Sequence, residues 1–79
     1  VALLWLNLAK ARVAAGQANE AASALLYAVR LETESRSVQL EGAWLAQKMG
    51  KNSLARQLYR RAVELGGPEP SLAKELNLK

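Results

Sequence analysis

The side chains that most often carry catalysis are missing from this chain, which has no histidine, no cysteine and no aspartate. Its ionisable groups are seven glutamates, eleven lysines and arginines, and two tyrosines. Without imidazole, thiolate or aspartate, the common general bases, nucleophile partners and metal ligands are lacking. We therefore expect no enzyme, no bound catalytic metal and no cofactor. The chemistry that remains is charge. Lys48, Lys51, Arg56, Arg60 and Arg61 follow one another through one turn and one helix without an intervening acid, in a chain of net charge +4. Such a face attracts nucleic acid, an acidic polymer or an acidic protein. Against that, the aromatics are few and not interleaved with the cations, no RNA-binding signature is present, and Glu64 is placed to pair with Arg60 along the helix. A solvated outer face is the preferred expectation, and an anion-binding module is the alternative.

The elements that position these residues are all helical. From Leu3 to Ala15 there is neither Gly nor Pro, and Leu4, Leu8, Ala11 and Ala15 recur at helical spacing, which predicts one face of a first helix. Gly16 ends it, and Ala18 to Leu31 restarts with Ala21, Ala24, Leu25, Ala28 and Leu31 on one side. The polar stretch from Glu32 to Ser37 separates this hairpin from a second. There Val38 to Met49 forms one helix, Gly50-Lys51 turns the chain, and Asn52, as N-cap, starts a helix running to Leu65. Gly66-Gly67-Pro68 stops that helix, and Pro70 opens a short fifth one over Ser71 to Asn77.

The two hairpins are copies. Gly16 and Gly50, Ala9 and Ala43, Ala21 and Ala55, Ala28 and Ala62, Val29 and Val63, Leu31 and Leu65, and Leu6 and Leu40 are each 34 residues apart. Seven identities at small and apolar positions in one register point to an internal repeat. Small Ala9, Ala21 and Ala28 and their copies let helix axes approach, while Trp5, Leu8, Leu25, Leu58 and Tyr59 are expected to fill the space between them.

Trp5, Leu8 and Ala9, followed by Gly16, Ala21, Leu25 and Ala28, resemble the tetratricopeptide (TPR) pattern W-x2-L-G-x2-Y with its later G, A-x3-F and A. Arg12 stands where that pattern has tyrosine, and Leu25 where it has phenylalanine. The second unit keeps Ala43, Gly50, Ala55, Tyr59 and Ala62 but has Gln39 and Gly42 in place of the tryptophan and leucine. The resemblance implies an all-α fold of antiparallel helix-hairpin repeats, a fragment of a right-handed α-solenoid. Repeat one would span about 2–35, repeat two about 36–69 and a capping helix about 70–77, all in one domain over 1–79. A different helix-hairpin repeat or a small unrelated bundle is the competing architecture.

In TPR arrays the first helix of each hairpin lines a concave groove for a peptide or partner helix. Carried over, that resemblance makes Leu6, Lys10, Val13, Leu40, Trp44, Gln47 and Lys48 the groove candidates. It also implies a protein-protein interaction scaffold with a protein or peptide partner. Trp44 matters most, because it lies off the core register and offers large apolar area; packing against its own neighbours is the opposing expectation. The Lys and Asn clamp that grips C-terminal carboxylates in some TPR modules is not matched, since Leu6, Lys10 and Glu41 occupy its positions.

Context follows from two features. The first helix has only Asn7, Lys10 and Arg12 as polar residues, so cover on more than one side is expected, from a preceding repeat or from self-association. Ala22, Leu26 and Val29 likewise expect cover, whereas their copies Arg56, Arg60 and Val63 expect water, which puts repeat two nearer an end. The chain opens on Val1 and reads as an excised piece of a larger protein, by analogy a bacterial assembly or secretion protein. Its compartment stays open between periplasm, cell envelope and cytoplasm. No run of apolar residues approaches the roughly 18 of a membrane helix, so no membrane insertion is expected.

Overall fold

Three helix ends close in the same way in the computed structural model, which describes residues 1–78. Gln17 N donates to Arg12 O at 2.8 Å and Gly16 N to Val13 O at 3.0 Å. Lys51 and Gly50 repeat this with Ala46 O and Gln47 O at 2.9 and 3.0 Å, and Leu78 and Asn77 with Ala73 O and Lys74 O at 2.8 and 3.1 Å. These are Schellman ends, which need a left-handed residue in the middle. Gly16, Gly50 and Asn77 supply it, with φ of 75°, 77° and 58°.

The helices between these ends are α1 (Ala2–Ala14), α2 (Ala18–Leu31), α3 (Arg36–Lys48), α4 (Asn52–Gly66) and α5 (Pro70–Glu75). The starts of α1, α3 and α5 step by 34 residues, and so do those of α2 and α4. The fold is all-α and repeat-like. Helix α3 begins at Arg36, earlier than the expected Val38, because Ser35 Oγ accepts from Val38 N at 3.3 Å and caps the helix. Asn52 is not the cap of α4. It is the first helical residue, and Lys51 occupies the cap position without a side-chain bond. Glu69 caps α5 through Ser71 N, and Pro70 takes the first helical position, where its missing N–H costs nothing.

Packing joins α1 to α2 and α3 to α4 as hairpins, and α3 also lies against both α1 and α2. Gly42 marks the closest approach. A Cβ there would lie 3.0 Å from Leu25 Cδ1, 3.1 Å from Val29 Cγ1 and 3.2 Å from Leu58 Cδ1, so α2, α3 and α4 meet at a point where only hydrogen fits easily. This is the position at which the second unit departs from the TPR leucine. Ala9, Ala21, Ala28, Ala43, Ala55 and Ala62 are all buried, as close helix contacts require.

Helix α1 turns a different face inward from the expected one. Ala2, Leu6 and Ala9 are buried, with Trp5 and Val13 partly so, while Leu4, Ala11 and Ala15 are exposed and Leu8 does not fill the core. A helix that is apolar all round carries no periodic signal to say which side is inside. On α2, Val29 is buried and Ala22 and Leu26 are half-buried. On α4 the equivalent Arg60 is exposed, and Arg56 and Val63 are half-buried.

Long polar side chains close the helix ends through backbone oxygens, two of them across the hairpins. Buried Gln39 donates to Val29 O and Glu32 O, both at 3.3 Å, at the end of α2. Arg61 Nε donates to Thr33 O at 3.2 Å. Arg36 donates to Gly67 O at 3.0 and 3.3 Å and to Pro68 O at 3.3 Å, its stem crossing close over Gly66, where a Cβ would have to push it aside. Tyr59 Oη accepts from Glu69 N at 3.1 Å and donates to Glu69 O at 3.3 Å, and Leu72 and Leu76 are fully buried, so α5 is seated on the second hairpin. Among the described residues no buried side-chain polar atom lacks a partner, and no helix is long and apolar enough to cross a membrane.

Candidate functional site

The antiparallel hairpins set α1 beside α3, and a groove runs between them. Along α3 the spacing of Ser37, Glu41, Trp44 and Lys48 keeps these residues on one side of the helix, facing Leu3, Leu6 and Lys10 of α1. One depression of about 220 Å³ is lined by Lys10, Glu41, Trp44, Leu45 and Lys48. A second, of about 180 Å³, lies between Leu3 and Leu6 on one side and Ser37, Val38 and Glu41 on the other, with Glu32 and Ser35 at its end. Glu41 is common to both.

Of the residues the sequence nominates, Lys10, Trp44 and Lys48 come together. Trp44 is half-buried, its inner part packed on the core and the rest turned to the groove. Lys10 Nζ and Glu41 Oε2 form an ion pair at 3.3 Å across the groove, with side chains 50% and 46% exposed. A pair so exposed is worth about 0–1 kcal/mol, so an incoming group can displace it without great loss. Lys48 has no ion-pair partner among the described residues.

The other nominees lie elsewhere. Leu6 is 1% exposed, a core side chain whose edge only floors the groove; it cannot present area to a partner, because the inward face of α1 is the one that carries it. Val13 and Leu40 are half-buried and packed against the core. Gln47 Nε2 donates to Glu75 Oε2 at 3.4 Å and so faces α5. Glu41 and Leu45 also line the site, and the sequence reading nominates neither as a groove residue. A test for apolar groove residues passes over a glutamate.

The basic face is smaller than the charge run suggests. Lys51 and Arg56 are half-buried and Arg60 is exposed, but Arg61 is held by Thr33 O and by Glu64 at 3.5 Å. Glu64 thus pairs with Arg61, three residues away, and not with Arg60. Two more depressions line the outside: one between Trp5, Leu8, Arg12, Glu20 and Tyr27, where the two rings stack at 4.5 Å, and one between Tyr59, Arg60, Val63, Glu64 and Leu78. No grouping of acidic residues among the described part of the chain has metal-binding geometry.

No protein-family model, curated protein or solved structure matches this chain. The groove's own geometry is therefore what speaks to function.

Proposed function

We propose that this chain is a TPR-like helix-hairpin repeat module, part of a solenoid, that holds a peptide or helix of a partner protein in the groove between α1 and α3. The observation that carries this is the depression where Trp44 supplies apolar area between the ammonium groups of Lys10 and Lys48. An aromatic with one face on the core and one open is rigid before binding, so a partner that covers it gains area at little entropic cost. The flanking charges set orientation and association rate more than affinity. The 34-residue stepping of helix starts supports the repeat assignment, and the absence of imidazole, thiol and aspartate supports a binding role without catalysis.

The test is a capture experiment with the chain as bait, followed by affinity measurement on the protein it retains. Trp44→Ala should weaken binding by roughly 2 kcal/mol, about thirtyfold, and Lys48→Ala by less, with helix content unchanged in both. If Trp44→Ala melts the chain while the residual folded fraction binds normally, Trp44 is a core residue and the groove is not the site.

A further inference from the structure

The groove between α1 and α3 has unlike ends. Near the start of α3 it is bordered by Glu32, Ser35 and Ser37, and near the end of α3 by Lys48. Lys10 and Glu41 stand between these and neutralise each other at 3.3 Å. Glu32 and Lys48 are both exposed, and neither has an ion-pair partner among the described residues. A carboxylate and an ammonium thus mark opposite ends of one groove, with Trp44 between them, one helical turn from Lys48. The two depressions, of about 220 and 180 Å³, share only the wall formed by Glu41. Each takes a side chain, and neither takes a helix about 10–12 Å across.

We propose that the occupant is an extended segment of a partner protein with an acidic, an apolar and a basic side chain at alternate positions, in that order from the Lys48 end to the Glu32 end. This rests on the groove being the binding site, as proposed above. Along α3, at 1.5 Å per residue, Trp44 lies about 6 Å and Ser37 about 16 Å from Lys48. In an extended chain alternate residues point to the same side and stand about 6.6 Å apart. A carboxylate at Lys48 therefore puts the next inward side chain over Trp44. The one after it, about 13 Å along, reaches Glu32 and the Ser37 hydroxyl if it is a cation on a long stem. A strand acidic at both positions, or basic at both, leaves one end facing a like charge. A terminal carboxylate fits the Lys48 end less well than a side chain, because its two oxygens ask for converging donors and Lys10 is already engaged by Glu41. Trp44 supplies the contact area, while the two end charges set the order of the partner's residues and the association rate.

The test is a titration of the chain, followed by amide chemical shifts, with three synthetic peptides blocked at both ends. One is Glu-Ser-Leu-Ser-Lys, and the others carry Glu at both charged positions or Lys at both. At low salt the first should bind about three- to fivefold more tightly than either of the others, with shifts at Trp44, Lys48 and Glu32, and the preference should shrink in high salt. Lys48→Glu should make the peptide with two lysines the best of the three, and Glu32→Lys the one with two glutamates. Both positions are exposed, so the fold is kept. Equal affinities for the three peptides, or an order unchanged in the two variants, overturn the proposal; if Trp44→Ala still weakens all three, the groove remains the site and only its polarity is refuted. A charge order that persists while Trp44→Ala has no effect sinks the groove and the proposal together. The proposal also fails if groove shifts appear on concentrating the chain without peptide, which assigns the groove to a second copy. Tighter binding of a helical peptide bearing the same charges, binding only of peptides with a free C-terminal carboxylate, or no groove shifts at millimolar peptide refutes it as well.

Discussion

A single methyl group at position 42 tests how tightly α2, α3 and α4 meet. In Gly42→Ala the new Cβ lies 3.0, 3.1 and 3.2 Å from methyls of Leu25, Val29 and Leu58, all of them buried side chains. Carbon atoms rest at about 3.5–4.0 Å, so each neighbour must give by several tenths of an ångström. Inserting a methylene into a packed core costs about 1–3 kcal/mol. Alanine returns about 1 kcal/mol over glycine in a helix interior. The balance is a net loss of about 1 kcal/mol, which lowers the melting temperature of a domain this size by about 4–8 °C. Thermal and urea melts followed by circular dichroism read it directly. Gly50→Ala is the control: nothing lies within 4 Å of its Cβ, so any loss there comes from the backbone at φ 77° alone, about 1–2 kcal/mol. If Gly42→Ala is instead stabilising by the full helix-propensity gain, the three helices do not meet as described and α3 sits farther from α2.

Three further outcomes are expected. Arg36→Met keeps most of the stem but removes the guanidinium donors to Gly67 O and Pro68 O, and should cost about 1.5–3 kcal/mol in urea melts, while Lys10→Met, which breaks only an exposed pair, should cost under about 1 kcal/mol. Charge reversal at Arg56 and Arg60 should leave folding intact, whereas Arg61→Glu should destabilise by about 1 kcal/mol through loss of its bond to Thr33 O; if the unmodified chain binds single-stranded RNA or an anionic polysaccharide at physiological salt and the reversed one does not, the basic face is the site and the groove is not. Elemental analysis of the purified chain should find no stoichiometric metal, and tight zinc at one per chain would overturn the binding-scaffold assignment.

The period of the fold is legible because it is written in residues with one job each. Gly16 and Gly50 turn the chain where only a left-handed residue works, and the alanines 34 apart sit where axes are close. Helix α2 is amphipathic, and its limits and the inner positions Ala21, Ala24, Leu25 and Ala28 follow from spacing, whereas Leu31, expected on the same side, lies exposed at the frayed last turn and Val29 is buried instead. Helix α1 is apolar on every side, so its inner face depends on what is packed against it: Leu6, expected in the groove, is core, and Leu8, expected in the core, is exposed on the outside. The caps are ambiguous for another reason. Ser35, Lys51 and Asn52 all precede good helix formers, and tertiary contacts pick the boundary. At the groove, Trp44 and Lys48 are legible as off-core residues of α3, while Glu41 is recognisable only once Lys10 is seen opposite.

The side chains that satisfy backbone oxygens at the end of α2 and in the loop after it come from later in the chain. Gln39 serves the end of α2 and Arg61 the loop after it, so the first hairpin borrows its closure from the second. A ribosome releases the chain from the N-terminus at about 5–20 residues per second, so α1 and α2 wait some seconds with these carbonyls in water. During that interval the first hairpin has its apolar contacts but a frayed exit. Docking of α3 supplies Gln39 and docking of α4 supplies Arg61, while Arg36 closes the end of α4 only after Gly67 and Pro68 have emerged. Closure of the first hairpin is thereby coupled to synthesis of the second, and a nascent chain stalled before residue 61 should remain open to protease in the loop of residues 32–35.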